Sequence, residues 1–322
     1  MTAEAAMMDR RSDVEPPTWL WRSGELVPWS DALIHVNAVG HASAAAIFEG
    51  IRAYRSAVGG SLLLFRLGEH LRRLLDSARI CRLDLGHDQD ELAAAVVAVL
   101  RANRYQDDAY IRPWAFAKGF VKEQMVPADS LCEVVVDSWP FPSDLAAAGG
   151  CRAAVSSWTR ISEASMPPRV KAFSNYHNGR LATMEARENG HDYPILLNER
   201  HKVSEGPGAC VALVRAGKVI TPSLTSGVLE SITRDTALHL LREEMGMPVE
   251  EREVDRTELY LADEIFFMGT AWEILPVTWM DGLRVGSGSP GPVARRLREI
   301  YTRVVRGESA AHKHWLTEVP CP

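Results

Sequence analysis

Apolar residues fall at helical spacing in several stretches of the chain and in short continuous runs elsewhere. Between 69 and 80 they stand at Leu71, Leu74, Leu75 and Ala78, the one-sided stripe of an amphipathic helix. Residues 90–103, rich in alanine and valine, predict a second helix. Others are expected over about 175–188, closed by Asn189-Gly190, over 233–245, closed by Gly246, and over 293–305. Runs bounded by turn residues predict strands: two short ones around Ser23-Gly24, then 47–54, 62–65, 110–116 and 132–136. A second series covers 153–158, 194–197, 211–214, 219–220, 249–254, 265–268 and 274–279, with Asp281-Gly282 as a hairpin turn. No internal repeat is present, and the mixture of strands and helices places the chain in the α/β (α+β) class.

The length, 322 residues with 46% apolar, exceeds the usual size of one hydrophobic core and predicts two domains. The densest punctuation, Trp139-Pro140-Phe141-Pro142-Ser143-Asp144 with Gly149-Gly150 around an alanine run, marks the boundary. The expected organisation is a disordered leader over 1–18, a smaller domain over 19–138, a linker over 139–150 and a larger domain over 151–322. A net charge of -6 gives no footprint for nucleic acid. Cys81, Cys132, Cys151, Cys210 and Cys321 are odd in number and lack C-x-x-C spacing, so neither a disulfide framework nor a zinc site is suggested, and a reducing cytoplasm suits them. The longest unbroken apolar run, 92–100, is about half of the roughly 18 to 20 residues that a bilayer requires, so no membrane partner is expected.

The candidate chemistry centres on Val170-Lys171-Ala172-Phe173-Ser174-Asn175-Tyr176. A lysine among apolar neighbours is disfavoured as ammonium and suits Schiff-base chemistry with an aldehyde, although most lysines so placed only lay their stems on apolar surface. Ser231-Ile232-Thr233-Arg234-Asp235 places a hydroxyl and backbone amides at a helix start, suited to a phosphate or to a simple cap. Gly269-Thr270-Ala271 ends a strand in a tight turn. Glu205, in Ser204-Glu205-Gly206-Pro207-Gly208, could keep a pyridinium nitrogen protonated, though most loop glutamates are simply solvated. Gly286-Ser-Gly288-Ser-Pro-Gly291 fits G-x-G-x-x-G only formally, since it follows a hairpin rather than the first strand of a βαβ unit. H-E-x-x-H, G-x-S-x-G and Walker patterns are missing, so metal hydrolysis, serine-hydrolase and NTP chemistry lack support.

In this order, these segments resemble the class IV pyridoxal-phosphate enzymes, most closely the branched-chain amino acid aminotransferases. The resemblance runs from Trp19 to Glu308. It is carried by Phe48-Glu49-Gly50-Ile51-Arg52, the Phe65–Leu74 run with Ser77-Ala78, Tyr110-Ile111-Arg112-Pro113, Lys171 to Tyr176, Ser204-Glu205-Gly206, Ile232-Thr233-Arg234-Asp235, Leu261-Ala262-Asp263-Glu264 and Gly269-Thr270-Ala271. It implies a two-domain fold type IV enzyme with a larger C-terminal pseudo-barrel, a pyridoxal 5'-phosphate cofactor, and a homodimer. Lys171 would be the Schiff-base lysine and general acid/base. Tyr176 would bond the cofactor's phenolic oxygen and Glu205 its ring nitrogen, while Arg73, Ile232, Thr233 and Thr270 would hold the phosphate. Phe48, Arg52, Tyr110, Arg112 and Ala271 would form the substrate site, with Arg112 taking the side-chain carboxylate of an L-glutamate donor.

The chain departs from the family pattern at Ser43 and Ala44, at Ala209-Cys210-Val211-Ala212, at Ser231, and at Phe173-Ser174. These changes spare the lysine, the ring-nitrogen acid and the phosphate ligands, and they imply a reshaped acceptor pocket suited to a specialised biosynthetic pathway. Cys210 reads as a small filler. An aminodeoxychorismate lyase-like enzyme and a D-amino acid aminotransferase share the implied fold. A non-enzymatic scaffold fits least well with retention of Lys171, Tyr176, Glu205 and Arg73 together.

Overall fold

A computed structural model of the chain describes residues 16–34, 46–118, 132–147 and 149–321. Most of the expected leader, through residue 15, and the departures at Ser43 and Ala44 lie outside the described residues. Contacts within the chain divide it into two compact units. One holds the chain up to Pro142 with Lys171–Phe173 and the stretch from Val305; the other holds 143–170 and 174–304.

The first unit contains β1 (Trp19–Arg22), β2 (Glu25–Pro28), β3 (Ala46–Phe48), β4 (Ile51–Arg55), β5 (Ser61–Phe65), α1 (Leu67–Cys81), α2 (Gln89–Asn103), β6 (Ala109–Ala117), β7 (Cys132–Pro140) and a C-terminal strand, Leu316–Pro320. The sheet runs C-terminal strand, β5, β4, β6, β7, β1, β2, with β3 also paired to β6. Of the predicted stripe on α1, Leu71, Leu74 and Ala78 are buried and Leu75 is half-buried, and Leu67 joins the buried face. A reciprocal capping box, Asp88 with Glu91, starts α2.

Two features differ from the sequence pattern. The run 47–54 is two strands, interrupted at Glu49-Gly50, where the Glu49 N–H donates to the Pro113 carbonyl at 2.7 Å. A Cβ on Gly50 would lie 1.7 Å from the Tyr110 hydroxyl, so the break admits Tyr110 only because residue 50 has no side chain. The C-terminal strand has too few apolar residues to be read from sequence. It forms by pairing with β5 over Leu316 to Pro320.

The second unit contains β8 (Cys151–Thr159), α3 (Phe173–Glu188, whose first residue belongs to the first unit), β9 (Tyr193–Leu197), β10 (Cys210–Arg215), β11 (Lys218–Pro222), α4 (Ile232–Glu243), β12 (Val249–Arg252), β13 (Glu264–Gly269), β14 (Glu273–Met280), β15 (Leu283–Arg284) and α5 (Pro292–Val305, whose last residue belongs to the first unit). The order is β12, β11, β10, β13, β14, β8, β9, with β15 beside β14. Central β13 is buried throughout and therefore reads as a continuous apolar run rather than an alternating one.

Residues between 202 and 205 bridge the two edges of this sheet. Ser204 N–H donates to the Leu196 carbonyl at 2.9 Å beside β9, and Val203 N–H donates to the Val254 carbonyl at 2.8 Å beyond β12. The edges are thereby joined into a pseudo-barrel whose seam ends at Glu205. The glycine-rich 286–291 segment leads into α5, and the Glu264 carboxylate accepts the Val293 and Ala294 N–H groups at 2.9 Å each. A side chain of the protein thus fills the position that the formal dinucleotide motif would offer to a phosphate.

Candidate active site

In the first unit, Lys171 is buried and joined to the edge of β3. Its carbonyl accepts the Phe48 N–H at 2.9 Å, Ala172 forms a bridge with Ile47, and its own N–H donates to Ser77 Oγ on α1 at 3.2 Å. Its Nζ lies 4.6 Å from the centroid of the Phe48 ring, and that ring stacks on Phe173 at 4.2 Å. The amine is therefore held by backbone pairing above an aromatic floor. Burial and the ring beneath it set the surroundings of this amine.

The sheet places further predicted residues in register on the same unit. Phe48 pairs with Trp114, Arg112 faces Asp137, and Tyr110 faces Trp139. Tyr110 stacks on Trp139 at 4.9 Å and meets Phe141 edge-on at 5.5 Å. Arg112 lies 5.7 Å from the Phe173 ring and 5.1 Å from Trp139, and its guanidinium forms a fork with Asp137, Nη2 to Oδ2 at 2.6 Å and Nε to Oδ1 at 3.2 Å. Arg52 is only 2% exposed. It donates to the Phe141 carbonyl at 3.2 Å and lies over the Phe141 ring at 4.5 Å, so its guanidinium is built into the packing under Tyr110 and Phe141.

Arg73 on α1 is gripped by Glu49, Nε to Oε1 at 2.6 Å and Nη2 to Oε2 at 2.8 Å, and His70 Nδ1 meets the same carboxylate at 2.7 Å. Burial would raise the Glu49 carboxyl, but Arg73 and His70 hold it well below the usual carboxylate range. Burial pushes the His70 imidazole down, against the pull of Glu49. Sequence reasoning assigned no role to Glu49 or His70. The available signal was an acid and a glycine interrupting an apolar run, with His70 and Arg73 one turn apart on α1.

In the second unit, Glu205 is buried in the seam rather than solvated. Its carboxylate meets Arg160 Nη2 at 2.7 Å, and both oxygens accept the Leu229 N–H at 3.2 Å. The Cys210 sulfur lies 3.5 Å from both Glu205 Oε2 and the Leu229 carbonyl, so its single S–H is shared between these two acceptors. Leu229 precedes the start of α4, where Ser231 Oγ accepts the Arg234 N–H at 3.2 Å and Thr233 is buried. The Tyr176 ring on α3 lies 3.8 Å from where a Gly208 Cβ would stand, and Gly269 abuts the Gly208 carbonyl and Ala209. The Tyr176 ring and Gly269, which opens the Thr270-Ala271 turn, thus lie against the 205–209 loop, and Leu229 ties the stretch before α4 to Glu205. Asn175 donates to the Val170 and Pro167 carbonyls at 2.9 and 3.2 Å, fixing the backbone just before Lys171.

The sequence family described as Amino-transferase class IV matches residues 46–279, a span that begins at β3 and ends within β14. The chain belongs to the class IV aminotransferases. It is 38% identical to the branched-chain-amino-acid aminotransferase of Escherichia coli K12, over 94% of this chain and 97% of that one. Its structure matches the branched-chain amino acid aminotransferase of Thermobaculum terrenum in the PLP holo-form with a TM-score of 0.91 at 46% identity, covering 95% and 99% of the two chains. A branched-chain aminotransferase of Thermoproteus uzoniensis with norvaline matches with a TM-score of 0.89 at 39% identity, over 94% and 99%.

This aminotransferase depends on pyridoxal phosphate, and its residues suit that group. A buried lysine amine suits the aldehyde. A fixed buried carboxylate suits a protonated ring nitrogen, and the amides and hydroxyls at the start of α4 suit the phosphate. Among the described residues, no helix is long and apolar enough to cross a membrane.

Proposed function

We propose that this enzyme transfers the amino group between an α-amino acid and a branched-chain or related 2-oxo acid, as a cytoplasmic homodimer of two-domain subunits divided near 139–150. When bound, pyridoxal phosphate supplies an aldehyde for the amino group and a ring that withdraws electrons from the substrate's α-carbon. The Nζ of Lys171 would hold the aldehyde and would move the proton at the substrate's α-carbon. Glu205, oriented by Arg160, Leu229 and Cys210, accepts a hydrogen bond from the protonated ring nitrogen. Tyr176 orients the ring's phenolic oxygen. Arg73, Ile232, Thr233 and Thr270 bind the phosphate.

Phe48, Tyr110, Arg112 and Ala271 take the substrate, while Arg52 supports that surface through Phe141. The observation that carries this reading is the placement of Lys171: buried, fixed to β3 through its backbone, and with its amine over Phe48. The aromatic rows of Phe48, Phe173, Trp114, Tyr110 and Trp139 support an apolar substrate side chain.

The test is amino transfer to a panel of branched, linear and aromatic 2-oxo acids. The reading expects the highest kcat/KM on a branched or closely related aliphatic acid. Activity confined to D-amino acids, or pyruvate release without amino transfer, would replace it with one of the other chemistries of this fold.

A further inference from the structure

Arg112 is the residue expected to hold the side-chain carboxylate of glutamate, yet its guanidinium already has a carboxylate. Asp137 stands directly opposite on β7, contributes a bidentate contact at 2.6 and 3.2 Å, and is only 6% exposed. A forked pair of this kind is the strongest arrangement open to an arginine and a carboxylate. Burial pushes the Asp137 carboxyl upward against the pull of Arg112. The pair is thus maintained at a desolvation cost, which is weak ground for reading it as a stabilising device. Arg112 also lies within reach of the substrate surface: it contacts Phe173, which stacks on Phe48, and Phe48 lies under the Lys171 amine.

We propose that Asp137 is a specificity-determining residue that neutralises Arg112 and turns the amino-donor choice of this enzyme away from glutamate, toward α-amino acids with uncharged side chains. The inference rests on the transaminase reading above. A second carboxylate brought to Arg112 would meet Asp137 as a like charge in a partly desolvated setting, and such juxtapositions discriminate strongly between ligands. An aliphatic side chain would meet a neutral couple flanked by Trp139 and Phe173. The chemistry of the pair therefore selects leucine-like donors.

The experiment is a single-turnover donor half-reaction of the reconstituted holoenzyme with L-leucine and with L-glutamate, in the wild type, Asp137→Asn and Asp137→Ala. A parallel measurement gives dissociation constants for glutarate and 4-methylvalerate, which carry the two side-chain types without an amino group to transfer. The wild type should favour leucine by roughly tenfold or more, and each substitution should shrink the leucine-to-glutamate ratio by a similar factor, mainly through the glutamate KM. A merely structural role would lower both donors together and leave the ratio unchanged. Equal use of the two donors by the wild type, or an unchanged ratio in both variants, overturns the inference. If the wild type converts neither donor, the transaminase reading fails. The glutarate data then decide the role of Asp137 alone, which stands if the substitutions tighten glutarate relative to 4-methylvalerate and falls if they do not.

Discussion

Arg160 Nη2 stands 2.7 Å from Glu205 Oε1, and both side chains are less than a tenth exposed. The pair joins the end of β8 to the seam that closes the second sheet, and it fixes the carboxylate assigned to the ring nitrogen. Removing the cation leaves a buried charge without its partner, at a cost of about 3–5 kcal/mol. Arg160→Met should therefore lower the melting temperature and weaken cofactor retention together. Thermal unfolding of the apo and reconstituted protein checks both effects, and a variant that kept full cofactor affinity would contradict this role for the pair.

The Glu49, His70 and Arg73 cluster predicts acid sensitivity. Glu49 has a folded-state value below its unfolded one, so its contribution is present above the ordinary carboxylate range and is lost as pH falls through and below that range. His70 is also lowered. Below its ordinary value, about 6.5, the unfolded chain takes up a proton that the folded chain refuses, and stability falls in the same direction. Unfolding free energy should thus decline on acidification from neutral pH, first through His70 and then through Glu49. His70→Gln should flatten the upper part of that decline, and an unchanged profile in the variant would contradict the assignment.

Asn175 holds the backbone before Lys171 through two carbonyls. Asn175→Ala removes both bonds and takes its side-chain partner from the Val170 carbonyl, while the Pro167 carbonyl keeps the Val170 N–H, at about 1–3 kcal/mol. A small displacement of a reacting group can cost about 100-fold in rate. The variant is expected to retain its fold, by circular dichroism, while kcat falls by roughly 10- to 100-fold.

Gly50→Ala tests the interruption between β3 and β4. Its Cβ would overlap the Tyr110 hydroxyl, so Tyr110 must shift or the strands must part. Overpacking of this kind costs about 1–3 kcal/mol. The variant should lose stability and show a higher KM, and a KM equal to that of the wild type would remove Tyr110 from the substrate surface.

The helices were legible where a one-sided apolar stripe or a stop signal marks them, as the stripe on α1 and Gly246 after α4 illustrate. The C-terminal strand was not, because Leu316–Pro320 owes its conformation to pairing with β5. Lys171 and Glu205 could be picked out from their sequence settings, but their burial could not. Glu205 is enclosed only because residues 202–205 close the sheet, a long-range event with no local pattern. Asp137 lies 25 residues from Arg112 in sequence, and only the β6–β7 register brings the two together. The single strand read over 47–54 fails for a related reason: Glu49 turns to a partner 24 residues away on α1.

The most direct test of the account is the visible spectrum of the purified protein, recorded before and after an amino donor and then after a series of 2-oxo acids, in the wild type and in Lys171→Ala. The wild type should show the absorbance of a lysine-bound pyridoxal cofactor, lose it when an amino acid donates, and regain it with a branched or related 2-oxo acid. Lys171→Ala should lose turnover while retaining some phosphate-anchored cofactor. A colourless wild type that gains no absorbance with added pyridoxal phosphate, or a Lys171→Ala variant that still cycles, would contradict the assignment of Lys171 as the reactive amine.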